Sequence, residues 1–113
     1  MRVTNLSAEV SPFAKTGGLG DVASSLPKAL GATGHDVDVW APFFLEAAAW
    51  FRGRGAWPEQ ELEPFDVTLL GSTYSVGVLR ATLPGSTVPI RFVAHDPLFH
   101  RPGGLYARNE QGI

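Results

Sequence analysis

Apolar and polar positions alternate along the chain in a way that predicts strands separated by one long helix and one short one. Val3 to Ala8 reads as a first strand, although Thr4 and Asn5 make it more polar than a strand buried in a parallel sheet. Ser11-Pro12 ends that run, and a loop with Lys15, Gly17, Gly18 and Gly20 follows. From there the apolar residues fall at Leu19, Val22, Ala23, Leu26, Ala29 and Leu30, which traces one face of a helix. Gly31 and Gly34 punctuate its end, and Pro27 within it removes one backbone hydrogen bond, so a kink or break is expected there.

Asp36 to Ala41 alternates as a second strand closed by Pro42. Strand, loop, helix and strand in that order form a βαβ unit, which requires parallel pairing through a crossover. Phe44 to Phe51 predicts a short helix with Leu45, Ala48 and Phe51 on one side. Arg52 to Pro64, with Glu59, Glu61 and Glu63 alternating, reads most simply as a solvated loop. Phe65 to Leu70 and Tyr74 to Leu83 predict a hairpin turning at Gly71-Ser72-Thr73, and Val88 to Ala94 a last strand.

Composition narrows the function classes. The 113 residues carry 9 basic and 11 acidic side chains, a formal charge of −2. Nucleic acid is therefore an unexpected partner, because gripping a phosphate backbone needs a basic surface. The absence of cysteine excludes disulfides and thiolate metal sites and suits a cytoplasmic protein. The N-terminus lacks the apolar core of a signal peptide, and no apolar run approaches the ~20 residues that span a bilayer. His35, His95 and His100 show no ligand spacing with carboxylates, so neither a metal nor another cofactor is expected.

The loop before the long helix holds the candidate chemistry, and it supports three readings. Gly18-Leu19-Gly20-Asp21-Val22-Ala23 satisfies G-x-G-x-x-A with Asp38 about twenty residues on, as in a dinucleotide fingerprint, but that motif belongs directly after its strand. A Walker loop does not fit, because Lys15-Thr16 precedes the glycines. A purely structural reading takes the glycines as a tight turn and the lysine as a solvated charge. The third reading is an anion clamp. A helix start offers unpaired amides and partial positive charge, Gly17, Gly18 and Gly20 let a phosphate approach, and Lys15 adds a point charge. Asp21 would repel that anion, so it would serve a sugar hydroxyl or simply steady the first helical turn.

Ser7 to Leu30, with its Ser-Ala-Glu-Val-Ser-Pro-Phe-Ala-Lys-Thr-Gly-Gly-Leu-Gly-Asp-Val core, resembles the N-terminus of bacterial glycogen synthases and plant starch synthases. Gly34-His35-Asp36-Val37, Val88 to Phe92 and Phe99 to Tyr106 resemble later stretches of the same family. The resemblance implies a Rossmann-like parallel sheet with helices on both faces plus a β-hairpin. That sheet would be the incomplete N-terminal domain, residues 1–113, of a two-domain GT-B glycosyltransferase. It implies transfer of glucose from ADP-glucose to the non-reducing end of an α-1,4-glucan such as glycogen, with retention. Lys15, Gly17, Gly18 and Asp21 would contact ADP-glucose, and no catalytic residue falls within this chain. Asn5 departs from the aliphatic residues usual in the family's first strand. The chain also stops at Ile113, before the family's cleft histidine and second domain, so alone it is expected to be inactive. A relative using UDP-glucose, and a stand-alone phosphate- or glucan-binding module, are the alternatives.

Overall fold

In the computed structural model, which describes residues 1–100, the elements run β1 (Arg2–Leu6), α1 (Gly18–Ala32), β2 (Asp36–Pro42), α2 (Leu45–Gly53), β3 (Glu59–Leu69), β4 (Ser72–Thr82), β5 (Pro89–Ala94) and the short α3 (Asp96–Phe99). The end of the Phe99–Tyr106 stretch and the rest of the C-terminal tail lie outside the described residues. One five-stranded sheet has the order β1-β2-β5-β4-β3. β1, β2 and β5 pair in parallel, whereas β4 is antiparallel to both β5 and β3. The βαβ unit and the hairpin expected from the sequence are thus both present, joined through β5 into a mixed, partial Rossmann-like sheet.

Period-two alternation decides which face is packed. Val37, Val39 and Ala41 are buried on one side of β2, in register with Ile90 and Phe92 of β5. Leu79 and Ala81 of β4 continue that side. Ala23 and Leu30 of α1 and Ala47, Ala48 and Phe51 of α2 pack into the same cluster. Phe13, from the loop after β1, inserts among the rings of Trp50, Phe51 and Phe92 with centroids 4.8, 5.3 and 5.2 Å away. Asn5 lies opposite Val39 on half-exposed β1, an edge strand among the described residues, where a polar side chain need not be fully desolvated.

Several expectations change. Of the expected face of α1, Ala23 and Leu30 pack against the core, but Leu19, Val22 and Leu26 are 54%, 58% and 50% exposed, while Gly20, Ser24 and Pro27 are buried. Small residues win that face because they let the helix approach closely, and a Cβ at Gly31 would lie only 3.1 Å from Val88 Cγ2. The helix also runs through Pro27 without a break, its buried ring offsetting the lost hydrogen bond by packing. In α2, Ala47 takes the buried position expected of Leu45, which is 38% exposed.

The remaining correction concerns the acidic stretch. Residues 59–64 form the first half of β3 rather than a loop, with register shifts between Gln60 and Leu62 and between Leu62 and Phe65. Solvated edge strands tolerate charges, and the irregularity accommodates Pro64. The hairpin turns at Leu70-Gly71 rather than over Gly71-Ser72-Thr73, because φ of +51° and +81° makes the positive pair that a two-residue type I′ turn requires.

The other face of the sheet carries a polar network. Arg91 Nη1 donates to Asp38 at 2.9 Å and Arg91 Nε lies 3.3 Å from Glu61. Thr4 Oγ1 and Trp40 Nε1 also donate to the Asp38 carboxylate. Beside the network lies an open apolar groove of about 360 Å³ lined by residues such as Trp40, Phe65, Tyr74 and Val93.

Candidate functional site: the loop between the first strand and the first helix

Ligands of open α/β sheets gather beyond the carboxyl ends of the parallel strands. Here β1 delivers the chain to that edge, and residues 7–17 cross it before α1 begins. A cleft of about 460 Å³ lies there, lined by Leu6, Ser7, Ala8, Trp40, Pro42 and Phe99 among others.

The crossing segment is tightly built. Val10 and Ala14 form an isolated antiparallel bridge, and Val10, Phe13 and Ala14 are all buried. Ser11 N–H donates to the Gly20 carbonyl at 3.0 Å, tying the loop to the first turn of α1. Ser7 Oγ donates to the Glu9 carbonyl at 2.7 Å. Glu9, only 4% exposed, turns its carboxylate inward, where Oε1 accepts the Thr16 N–H at 2.7 Å and the Gly17 N–H at 3.3 Å.

The structure brings the four expected site residues together. Gly17 is the N-cap of α1, with no side chain capping the helix start, and Gly18 is its first residue. Nothing lies within 4 Å of the place a Cβ would occupy on either glycine, so the backbone there is open to an approaching group. Gly20 differs: a Cβ there would meet Lys15 Cγ at 3.2 Å and Lys15 Cβ at 3.3 Å, so its bare backbone is the bed on which the lysine stem lies. Asp21 stands in the first turn, and its Oδ1 is 3.0 Å from Lys15 Nζ.

That pair answers one question left open by the residues: Asp21 is the counter-ion of Lys15. The side chains are 46% and 54% exposed, so the pair is solvent-screened and worth no more than ~1 kcal/mol. The contact therefore costs little to open, and while it lasts it holds the lysine at the first turn of α1. The dinucleotide alternative loses its footing. Residues 7–17 separate β1 from the glycines, and Asp38 is engaged by Arg91, Trp40 and Thr4 rather than free for a ribose.

Glu9 and Phe13 are the site-building residues that sequence reasoning did not single out. The available signal was Glu9 itself, a charge set between Ala8 and Val10 ahead of a glycine-rich run.

A strand, a long anchored loop, an uncapped glycine-rich helix start and a tethered lysine stand together in this α/β chain. Sequence comparison identifies the kind: residues 2–112 match the starch synthase catalytic domain family, and the chain belongs to that family. It is 39% identical over 115 residues to glycogen synthase 2 of Geobacter metallireducens, covering 96% of this chain and 22% of the relative. It is 40% identical over 110 residues to the glycogen synthase of Paramagnetospirillum magneticum, covering 94% and 20%. Among solved structures it resembles the catalytic domain of starch synthase IV from Arabidopsis thaliana bound to ADP and acarbose, with a TM-score of 0.67, 26% identity, and coverage of 96% of this chain and 22% of that one. The chain thus spans about a fifth of the length of these relatives. Among the described residues no helix is long and apolar enough to cross a membrane.

Proposed function

We propose that this chain is the donor-gripping N-terminal segment, residues 1–113, of a cytoplasmic glycogen synthase. In this reading the enzyme moves glucose from ADP-glucose to the non-reducing end of an α-1,4-glucan with retention at the anomeric carbon. The observation that carries it is Lys15 laid over Gly20 and paired with Asp21 in the first turn of α1, a helix start that has no side-chain cap and is open at Gly17 and Gly18. Membership of the family and the ADP named in the Arabidopsis neighbour support the same donor class.

The chemistry asked of the segment is charge stabilisation. As the bond between the anomeric carbon and the phosphate oxygen breaks, negative charge accumulates on the departing diphosphate. Lys15 leaves Asp21 and places its ammonium against the phosphate oxygens. The first amides of α1 then point their N–H groups at the same charge, in an orientation fixed before the reaction begins. Asp21, released from the lysine, is left in the first turn of α1, within the site and free to accept a hydrogen bond from a sugar hydroxyl. The chain spans about a fifth of the length of its relatives, and the role proposed for it is confined to the donor diphosphate.

Lys15→Ala, made in the complete reading frame that encodes this segment, tests the reading. The expected result is a rise in KM for ADP-glucose of tenfold or more with the fold intact; unchanged donor kinetics would sink it. Running ADP-glucose and UDP-glucose side by side fixes the donor base.

A further inference from the structure

We infer that Glu9 is a positioning residue of the donor site: its buried carboxylate fixes the direction in which the loop presents Lys15 and the amides that follow Gly17. The inference rests on the donor reading above and adds to it a residue that touches no substrate.

The loop is secured in two halves by different means. Residues 10–14 are held by the Val10–Ala14 bridge and by Phe13 in the aromatic core. Neither device reaches residues 15–17, which are exposed. Between that anchored half and α1, Glu9 Oε1 takes the N–H groups of Thr16 and Gly17, at 2.7 and 3.3 Å. It thereby sets the peptide planes on either side of Thr16, from which the lysine branches on one side and the helix departs on the other. A backbone without side chains to pack, such as Gly17-Gly18, has many orientations available, and the carboxylate selects one.

Burial makes these two hydrogen bonds count. A carboxylate on a residue only 4% exposed is costly unless its charge is met by donors, and the donors include the Thr16 and Gly17 amides beside the positive end of α1. The division of labour is economical in amides. Thr16 and Gly17 N–H are turned inward to Glu9, and the helix start from Gly18 onward has no side-chain cap competing for it. Glu9 also carries the wrong charge to assist an anion directly. Its contribution is therefore geometric, and the distinction can be measured.

Two substitutions in the complete reading frame separate reach from charge. Glu9→Gln keeps an acceptor oxygen at the same reach and loses the charge. Glu9→Asp keeps the charge and shortens the reach by one methylene, so that both amides cannot be satisfied. Donor and acceptor KM are measured for each, alongside Lys15→Ala. The expected result is a donor KM within threefold of wild type for Glu9→Gln and raised about tenfold for Glu9→Asp, with the glycogen KM within twofold throughout. The reverse order of the two variants, equal loss in both, a donor KM unmoved in Glu9→Asp, or a parallel rise in donor and glycogen KM overturns the inference. If Lys15→Ala raises the donor KM while Glu9→Asp does not, only the role of Glu9 falls. If neither substitution moves it, the donor reading falls with it.

Discussion

Replacing Gly20 with alanine should separate folding from donor binding, because the two respond to different atoms. Gly20 sits in the first turn of α1 outside the left-handed region, so alanine adopts its backbone without strain. Helix propensity favours the change by up to ~1 kcal/mol. Against that, the added Cβ would stand 3.2 Å from Lys15 Cγ and 3.3 Å from Lys15 Cβ, with the Ala14 carbonyl at 3.5 Å. Relief needs a shift of a few tenths of an ångström, and the lysine stem can move where the carbonyl cannot. The two terms nearly cancel in stability, leaving a net change within about 1 kcal/mol. The displaced stem carries Nζ away from the helix start, however, and a charge moved away from the donor diphosphate binds it less tightly. The expected outcome is a chemical-denaturation midpoint close to wild type and a KM for ADP-glucose raised about tenfold, equivalent to ~1.4 kcal/mol. A Gly20→Ala enzyme that folds normally and keeps its donor KM would refute the claim that Gly20 is the bed of the Lys15 stem. Destabilisation beyond ~2 kcal/mol would show instead that the stem cannot move aside.

Three further outcomes test the packing that supports the site. Phe13→Ala removes a ring that is 3% exposed and touches three other aromatic side chains, and should cost ~3–5 kcal/mol of unfolding free energy, read by denaturant titration. Arg91→Met strips the half-buried Asp38 and Glu61 of their shared cation and should cost ~1–3 kcal/mol; a thermal midpoint equal to wild type would show the network to be dispensable. Leu70→Asn places a residue tolerant of positive φ at a fully exposed turn position with φ +51°, and should stabilise the hairpin by ~0.5–1 kcal/mol, with a lower melting temperature counting against the turn assignment.

Much of this fold was legible because its strands alternate cleanly. Val37, Val39 and Ala41 announced their buried side, and β5 announced its own. The helix face was misread for a physical reason. Periodicity counts apolar size, yet α1 packs through Gly20, Ala23, Ser24 and Pro27, where smallness permits approach. The acidic stretch was misread because a solvated edge strand and a solvated loop share a composition, and only pairing with β4 distinguishes them. The site divided along similar lines. Lys15, Gly17, Gly18 and Asp21 were visible as chemistry at a helix start, and the structure gathers them. What the sequence could not convey was the ion pair between Lys15 and Asp21, which depends on a spacing across the loop and helix start. Nor could it convey that Glu9 folds back on the amides of Thr16 and Gly17.

The central claim is that Lys15 exchanges Asp21 for the donor diphosphate at the start of α1. A crystal structure of the complete enzyme with ADP measures this directly. The account predicts Lys15 Nζ within hydrogen-bonding distance of a phosphate oxygen, that oxygen also facing the first amides of α1, and the 3.0 Å contact with Asp21 opened. ADP bound elsewhere, with Lys15 still paired to Asp21, would contradict it.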